Sequence, residues 1–227
     1  MIVSINQPAY LPWLGYFDRI ARSDIHVVLD HVQFEKNSYV NRNQILGANG
    51  ATWLTVPVRT KGRFGNLDIK SLEIDDSQRW KRKHVKSIES SYARAPMFSQ
   101  FWSPIRNILD QEWTYLSELS NAINLHLLNQ FSIETKITRS SDLNCTQSKS
   151  ELVLEICQRY DADIYLSGPL GRDYLNASAF QKAGIEIQFH DFTCMEYPQL
   201  SDRFIPNLSV VDCLFNAGVP TFPAITI

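Results

Sequence analysis

Ile2-Val3-Ser4-Ile5, then Asn6-Gln7-Pro8-Ala9-Tyr10-Leu11-Pro12-Trp13, then Leu14 to Arg22, then Asp24-Ile25-His26-Val27-Val28-Leu29-Asp30 follow one another at the start of the chain. The first piece is a short apolar run. Pro8 and Pro12 exclude a regular strand or helix interior in the second, because each lacks an N–H and biases the residue before it towards extended geometry. In the third, Leu14, Phe17, Ile20 and Ala21 share one side of a helix. The fourth is β-rich and flanked by acids. Strand, loop, helix, strand is the unit of a parallel sheet, and ligands of such sheets lie where a strand's carboxyl end meets the next helix. The loop at that point carries Tyr10 and Trp13 and leads into Tyr16 and Phe17. That is more aromatic surface than a solvated connection leaves exposed, so the rest of the chain, a ligand, or both must cover it.

The final third repeats the alternation. Glu134 to Thr138, Ile164 to Leu166 and Ile185 to Phe189 read as strands; Lys149 to Arg159, Ala177 to Ala183 and Ser209 to Ala217 read as helices, the last N-capped by Ser209. Between the two α/β parts, Tyr39-Val40, Gln44 to Leu46, Thr52 to Val58 and Leu67 to Ile74 suggest short antiparallel strands, and Thr60 to Asn66 a mobile basic loop. Trp80, His84, Ile88 and Tyr92 recur every fourth residue and form one helical stripe. Phe98 to Asp110 and Trp113 to Phe131 continue in helix, with Pro96 and Pro104 marking breaks or first turns. The expected fold is therefore α/β and Rossmann-like: a mainly parallel sheet with helices on both faces and an antiparallel β insertion. It forms one domain over 1–227, with the insertion at about 32–75 and a helical block at about 77–131.

A formal net charge of -2 gives no broad field for polyanions, which disfavours generic DNA or RNA binding. No apolar run reaches membrane-spanning length, and the first residues lack the basic and apolar regions of a secretory signal. Cys145, Cys157, Cys194 and Cys213 are widely spaced and match no zinc pattern, so they read as reduced thiols in a cytoplasmic protein with no metal site. No cofactor is indicated.

Three clusters can carry chemistry. The opening loop, with Gln7, Tyr10, Trp13 and Tyr16, stands near Asp30, Gln33, Asn41 and Arg42. Gln7 supplies an amide, Asp30 a carboxylate at a strand end, and Arg42 a planar cation able to grip a carboxylate or phosphate at two points. The second cluster, Ser167-Gly168-Pro169-Leu170-Gly171-Arg172-Asp173-Tyr174, follows a buried strand. Glycine there admits a ligand to the backbone, although the stretch lacks the Gly-Lys-Ser/Thr ending of a P-loop. Ser167, Gly168, Arg172 and Tyr174 are its candidates. The third, with Tyr197 and Gln199, reads by itself as a loop and a helix cap, and only the resemblance given below raises it. His84 lies on the helical stripe and faces inward, as a general base or as a satisfied core histidine. His190 and Asp191 are adjacent in a strand-like run and so face opposite ways, which argues against a relay between them. Cys145, in a polar loop, has no histidine near it in sequence.

With these residues quoted, the sequence resembles the WbqC-like family of bacteria. The resemblance rests on Gln7-Pro8-x-Tyr10-Leu11-Pro12-Trp13-x-Gly15-Tyr16-Phe17, Leu29-Asp30-x-Val32-Gln33-Phe34, Asn41-Arg42-Asn43, Trp80 with His84, Tyr165-Leu166-Ser167-Gly168, Tyr197-x-Gln199 and Ser209-x-x-Asp212. His31 departs from the pattern, where many relatives carry a second acid after Asp30. The resemblance implies attachment of an acyl or aminoacyl group, glycyl among them, to an amino sugar in O-antigen or related glycan assembly. On that expectation the partners are a nucleotide-linked amino sugar, an acyl or aminoacyl donor and a carrier protein. Tyr10, Trp13 and Tyr16 would bind the acceptor, Arg42 and the Ser167 loop the donor's anion, and His84 or Asp30 would take the amine proton. Two alternatives stand beside it. One is an ATP-using nucleotidyltransferase or ligase, for which no His-x-x-His or His-x-Gly-His element is present. The other is a non-catalytic protein that binds a sugar or a partner.

Overall fold

A computed structural model describes residues 1–62, 65 and 67–222. Five strands form an all-parallel sheet: β1 (Ile2–Asn6), β2 (Ile25–Val28), β5 (Lys136–Arg139), β6 (Ile164–Ser167) and β7 (Glu186–Phe189), in the spatial order β5-β2-β1-β6-β7. A separate antiparallel hairpin joins β3 (Arg42–Gly47) to β4 (Gly50–Thr55), with Gly47 opposite Gly50. The α/β class and the antiparallel addition are those expected from the alternation of patterns.

The two faces of the sheet differ in chemistry. Val3, Ile5, Ile25, Val27 and Tyr165 pack against α5 (Lys149–Arg159) and α6 (Ala177–Lys182) through Leu152, Val153, Ile156 and Phe180. That layer is apolar, as a sheet covered on both faces requires. Side chains alternate along a strand, so the opposite face carries Ser4 and Asn6 of β1 and His26 and Val28 of β2, and the register sets Ser4 beside His26 and Asn6 beside Val28. Helices α1 (Leu14–Ala21) and α4 (Leu116–Gln130) cover this more polar face. Phe17 of α1 meets Phe131 edge-on, with ring centroids 5.2 Å apart. Large rings buried in this way each contribute about 1.5–3 kcal/mol.

Helices α2 (Trp80–Tyr92), α3 (Phe98–Asp110) and α7 (Val210–Ala217) pack with the hairpin in the same large core as α1 and α4. The Tyr92 hydroxyl donates to the buried Asp212 carboxylate of α7 at 2.8 Å and accepts from the Leu46 amide of β3 at 2.9 Å. One phenol thus ties three elements together.

Local readings fail in four places. Leu67 to Ile74 is not a strand: Asp68 and Ile74 make single bridges to Gln33 and Val58, and Ile69–Ser71 is a 3-10 turn. Its cause is Asp68, whose carboxylate accepts from the Ser71 amide at 3.1 Å and bends the chain. Tyr39-Val40 forms a turn. Pro104 lies inside α3, past the first turn where its missing N–H costs nothing. Ser209 stands at the start of α7 without a side-chain cap, because its buried hydroxyl finds no partner among the described residues. Of the expected basic loop, Arg63, Phe64 and Asn66 lie outside the described residues.

Candidate functional site

In a sheet ordered β5-β2-β1-β6-β7, the chain runs outward from β1 to one side and later crosses to the other. The switch falls between β1 and β6. The loops leaving their carboxyl ends, Gln7 onward and Gly168 onward, must therefore diverge around a crevice there.

The side chain that fills this point is Arg19 of α1. It is 7% exposed, and its Nη2 donates to Oδ1 of Asn6 at the end of β1. On the other side a Cβ on residue 168 would overlap Nη1, so Gly168 is required for this close approach. The Arg19 Nε is buried without a partner, and no carboxylate pairs with the guanidinium among the described residues. Asp18, the adjacent acid, is engaged elsewhere: it accepts from Arg22 Nε at 2.7 Å and pairs with His190 Nε2 at 2.6 Å. Burial would raise the Asp18 pKa, but these two bonds overcome it and hold the carboxyl below its usual value. Burial pulls Arg19 below its ordinary value, while the nearby phenols of Tyr165, Tyr16 and Tyr174 act in the opposite sense. A buried, unpaired guanidinium ringed by phenols is costly to keep and suited to an incoming anion.

Next to Arg19 lies a second recess, a cavity of about 30 Å³ between the carboxyl ends of β1, β2 and β5 and helix α4. Tyr16, His26, Asp30, Asn124 and Arg139 line it. His26 is fully buried, and its Nδ1 lies 2.8 Å from the Ser4 hydroxyl. Its pKa is pushed down to about 3, by burial first and by the charge of Arg19 second, so the ring is neutral. Asp30 is held by the loop after β5: Ser140 Oγ and the Ser141 amide donate to Oδ1 at 3.0 and 2.9 Å, and Ser141 Oγ donates to Oδ2 at 2.8 Å. The Tyr16 hydroxyl has no hydrogen-bond partner among the described residues, and burial pushes its pKa up.

The opening loop is fastened by its own backbone. Tyr10 N donates to Tyr39 O at 3.1 Å, while the carbonyls of Ala9, Leu11 and Pro12 accept from Asn124 Nδ2 at 3.1 Å, Asn43 Nδ2 at 2.6 Å and Val210 N at 2.7 Å. Leu11 is held at φ 45, a strained value that these contacts enforce. The rings are covered mainly by the protein: Tyr10 and Tyr16 are buried and Trp13 is half-buried. From Tyr16 a row of ring contacts runs through Trp13 and Tyr39 to Trp53, and the last two are 45% and 40% exposed.

The remaining residues expected at the site are dispersed. His84 sits against the hairpin with both ring nitrogens occupied, Nδ1 by the Tyr10 hydroxyl at 2.9 Å and Nε2 by Thr55 O at 3.1 Å. Arg42 donates to Asn37 and lies over the Trp53 ring at 4.2 Å. Asn41 bonds Val56 O, and Gln33 bonds the backbone of Phe34 and Leu67. Gln7 is half-buried at the end of β1. Ser167 closes β6 beside the crevice, while Arg172 turns away into a two-point pair with Asp191 at 2.9 and 2.7 Å. Tyr174 interacts with Tyr165 near Arg19. Tyr197 and Gln199 join Asp212 at α7, where Gln199 clasps the Ile205 backbone in both directions. Asp30, Tyr16, Ser167, Gly168 and Tyr174 thus gather around the two recesses. Arg42, His84, Tyr197 and Gln199 hold other parts of the fold.

Asn6, an amide of the opening stretch, was expected at the site; Arg19, Asp18, His26, Asn124 and His190 were not. One of them left a trace in the sequence. A parallel strand covered on both faces is apolar, so Ser4 and His26 in the middle of β1 and β2 already mark a polar interior.

Fold and site define a Rossmann-like α/β protein with a polar crevice at the carboxyl edge of its parallel sheet. The chain belongs to the WbqC-like protein family, whose model matches residues 7–222. It is also similar to the uncharacterized protein Rv1507c of Mycobacterium tuberculosis, with 34% identity over 218 residues that cover 95% of this chain and 94% of that protein. No solved structure matches the chain. Among the described residues no helix is long and apolar enough to cross a membrane.

Proposed function

We propose that this protein transfers an acyl or aminoacyl group, glycyl among the candidates, to the amine of a nucleotide-linked amino sugar during assembly of a surface glycan. The observation that carries the proposal is the Arg19 guanidinium, buried without a carboxylate at the sheet's switch point. Burying an unpaired charge costs several kcal/mol even after relaxation, and an anionic ligand offsets that cost. The donor's phosphate, or the pantetheine phosphate of a carrier protein, would face Arg19 and the Ser167-Gly168 loop. The reaction class comes from the family resemblance.

In such a step the amine nitrogen attacks the donor's carbonyl carbon. A C–N bond forms, the bond from carbonyl carbon to thiolate or phosphate breaks, and the leaving group departs with the electron pair. The amine's proton passes to a base. Asp30 borders the cavity with an oxygen that accepts a single hydrogen bond from the Ser140-Ser141 loop, and it takes that role here. The charge of Arg19 favours the anion that develops on the donor side.

Incubation of the purified protein with nucleotide-linked amino sugars and acyl or glycyl donors, free and carrier-bound, should give an acylated sugar by mass spectrometry. Arg19→Gln should lose that product while keeping its circular dichroism spectrum. An active Arg19→Gln, or no product with any donor, counts against the assignment.

A further inference from the structure

Two acceptors on residues that line the cavity beside Arg19, one on His26 and one on Asn124, have no donor among the described residues. The cavity's proton inventory follows from hydrogen bonding alone. The Arg19 carbonyl can only accept, so the Ser23 hydroxyl, 2.8 Å away, donates to it. Ser23 has one hydroxyl proton. Its 2.8 Å contact with Ser4 must then carry the Ser4 proton, with Ser23 accepting. Ser4 has no proton left for His26, so at 2.8 Å the Nδ1–H of His26 donates to Ser4. The ring is neutral with its proton on Nδ1, which leaves a lone pair on Nε2. That atom is fully buried and meets no donor among the described residues, and its residue lines the cavity.

Asn124 gives the same result independently. Its Nδ2 is fixed as the donor by the Ala9 carbonyl at 3.1 Å, so the amide cannot be flipped without losing that bond. Its Oδ1 is buried and unpartnered, and the residue lines the same cavity. With the Asp30 carboxylate, three acceptors from β2, α4 and the loop after β2 belong to residues that line one cavity.

We infer that this cavity seats the acceptor's primary amine, with its N–H groups donating to His26 Nε2 and Asn124 Oδ1 beside Asp30. This rests on the transfer proposed above and adds the chemistry by which the acceptor is chosen. A sugar hydroxyl also donates and fits, though with one proton for two acceptors. An N-acetylated amine keeps a single N–H and adds a carbonyl that faces acceptors without a proton, so the acylated product is held more weakly than the amine.

Calorimetry with UDP-glucosamine, UDP-glucose and UDP-N-acetylglucosamine tests this directly. The expected order of affinity is amine, then hydroxyl, then acetamide, with at least a tenfold gap between first and last. His26→Phe keeps the ring's volume but removes the lone pair, and should bring that ratio close to one while the acetamide's affinity is unchanged. Nitrogen-15 NMR of the wild-type imidazole provides a second reading that needs no variant. His26 should show a protonated Nδ1 and a bare Nε2, whose resonance moves when UDP-glucosamine is added and stays when the N-acetyl sugar is added. A proton on Nε2, equal affinities for the three sugars, or an unchanged ratio in His26→Phe overturns the inference while leaving anion binding at Arg19 intact. Failure of the wild type to bind any of the three overturns it together with the amino-sugar assignment.

Discussion

Replacing Arg19 by methionine should make the protein more stable and blind to anions. The side chain is 7% exposed and carries a full charge with no carboxylate beside it, so the native state bears a desolvation cost of several kcal/mol. Methionine has a similar reach and removes that cost. It also removes the charged hydrogen bond to Asn6, worth about 1.5–3 kcal/mol. The balance is a gain of about 1–3 kcal/mol in buffer free of polyvalent anions, or roughly 2–4 °C in melting temperature per kcal/mol for a chain of this size. Pyrophosphate should act in the opposite sense on the comparison. At about 100 times its dissociation constant it adds about 2.7 kcal/mol to the wild type, which binds it, and nothing to the variant. Scanning calorimetry of both proteins with and without pyrophosphate gives all four values. If Arg19→Met is less stable than wild type without the anion, or if pyrophosphate still raises its melting temperature, the charge is not an unpaired one held for a ligand.

Other outcomes follow from the same geometry. Gly168→Ala places a methyl group against Arg19 Nη1 and should lower pyrophosphate affinity at least tenfold by calorimetry, without the stability gained in Arg19→Met. His84→Phe removes hydrogen bonds to Tyr10 and Thr55; it should cost about 1–3 kcal/mol in urea unfolding while the transfer rate persists. Asp18 has its folded pKa below the ordinary 3.8, so the unfolded chain binds the extra proton. Its stabilisation is present above that value and is lost as pH falls through the folded pKa. The urea midpoint of the wild type should therefore drop more steeply below about pH 4 than that of Asp18→Asn, which cannot titrate.

The parallel sheet could be read from the sequence because its signals are local. Ile2 to Ile5, Ile164 to Leu166 and the helix Lys149–Arg159 each carry their own period, and the structure returns them within a residue. Leu67 to Ile74 has a β-like composition, but it packs against α4, and a side-chain turn at Asp68 decides its backbone. The site was less legible for a related reason. Arg19 on an amphipathic helix reads as the solvent side, but it lies against Asn6 and Gly168 at the sheet's switch point, and the segment after β7 covers the neighbouring part of α1. His190 binds Asp18 there, and Phe192 lies so close to Gly15 that a Cβ would stand 2.7 Å from its ring. Arg42, a cation between two asparagines, suggested ligand binding; in the structure its Nη groups bind Asn37 and its plane lies over the Trp53 ring, while its Nε is buried without a partner among the described residues.

The fastening of the opening loop also orders events in time. Its carbonyls wait for Asn43, then Asn124, and finally for the Val210 amide. During synthesis the loop therefore lacks its full set of partners until Val210 has left the ribosome. β1 can pair with β2 early and Asn43 can then hold Leu11, but the Pro12 carbonyl has no partner until α7 docks. The crevice is then the last part of the molecule to take shape, and a nascent chain truncated before Val210 would have a sheet without a working site.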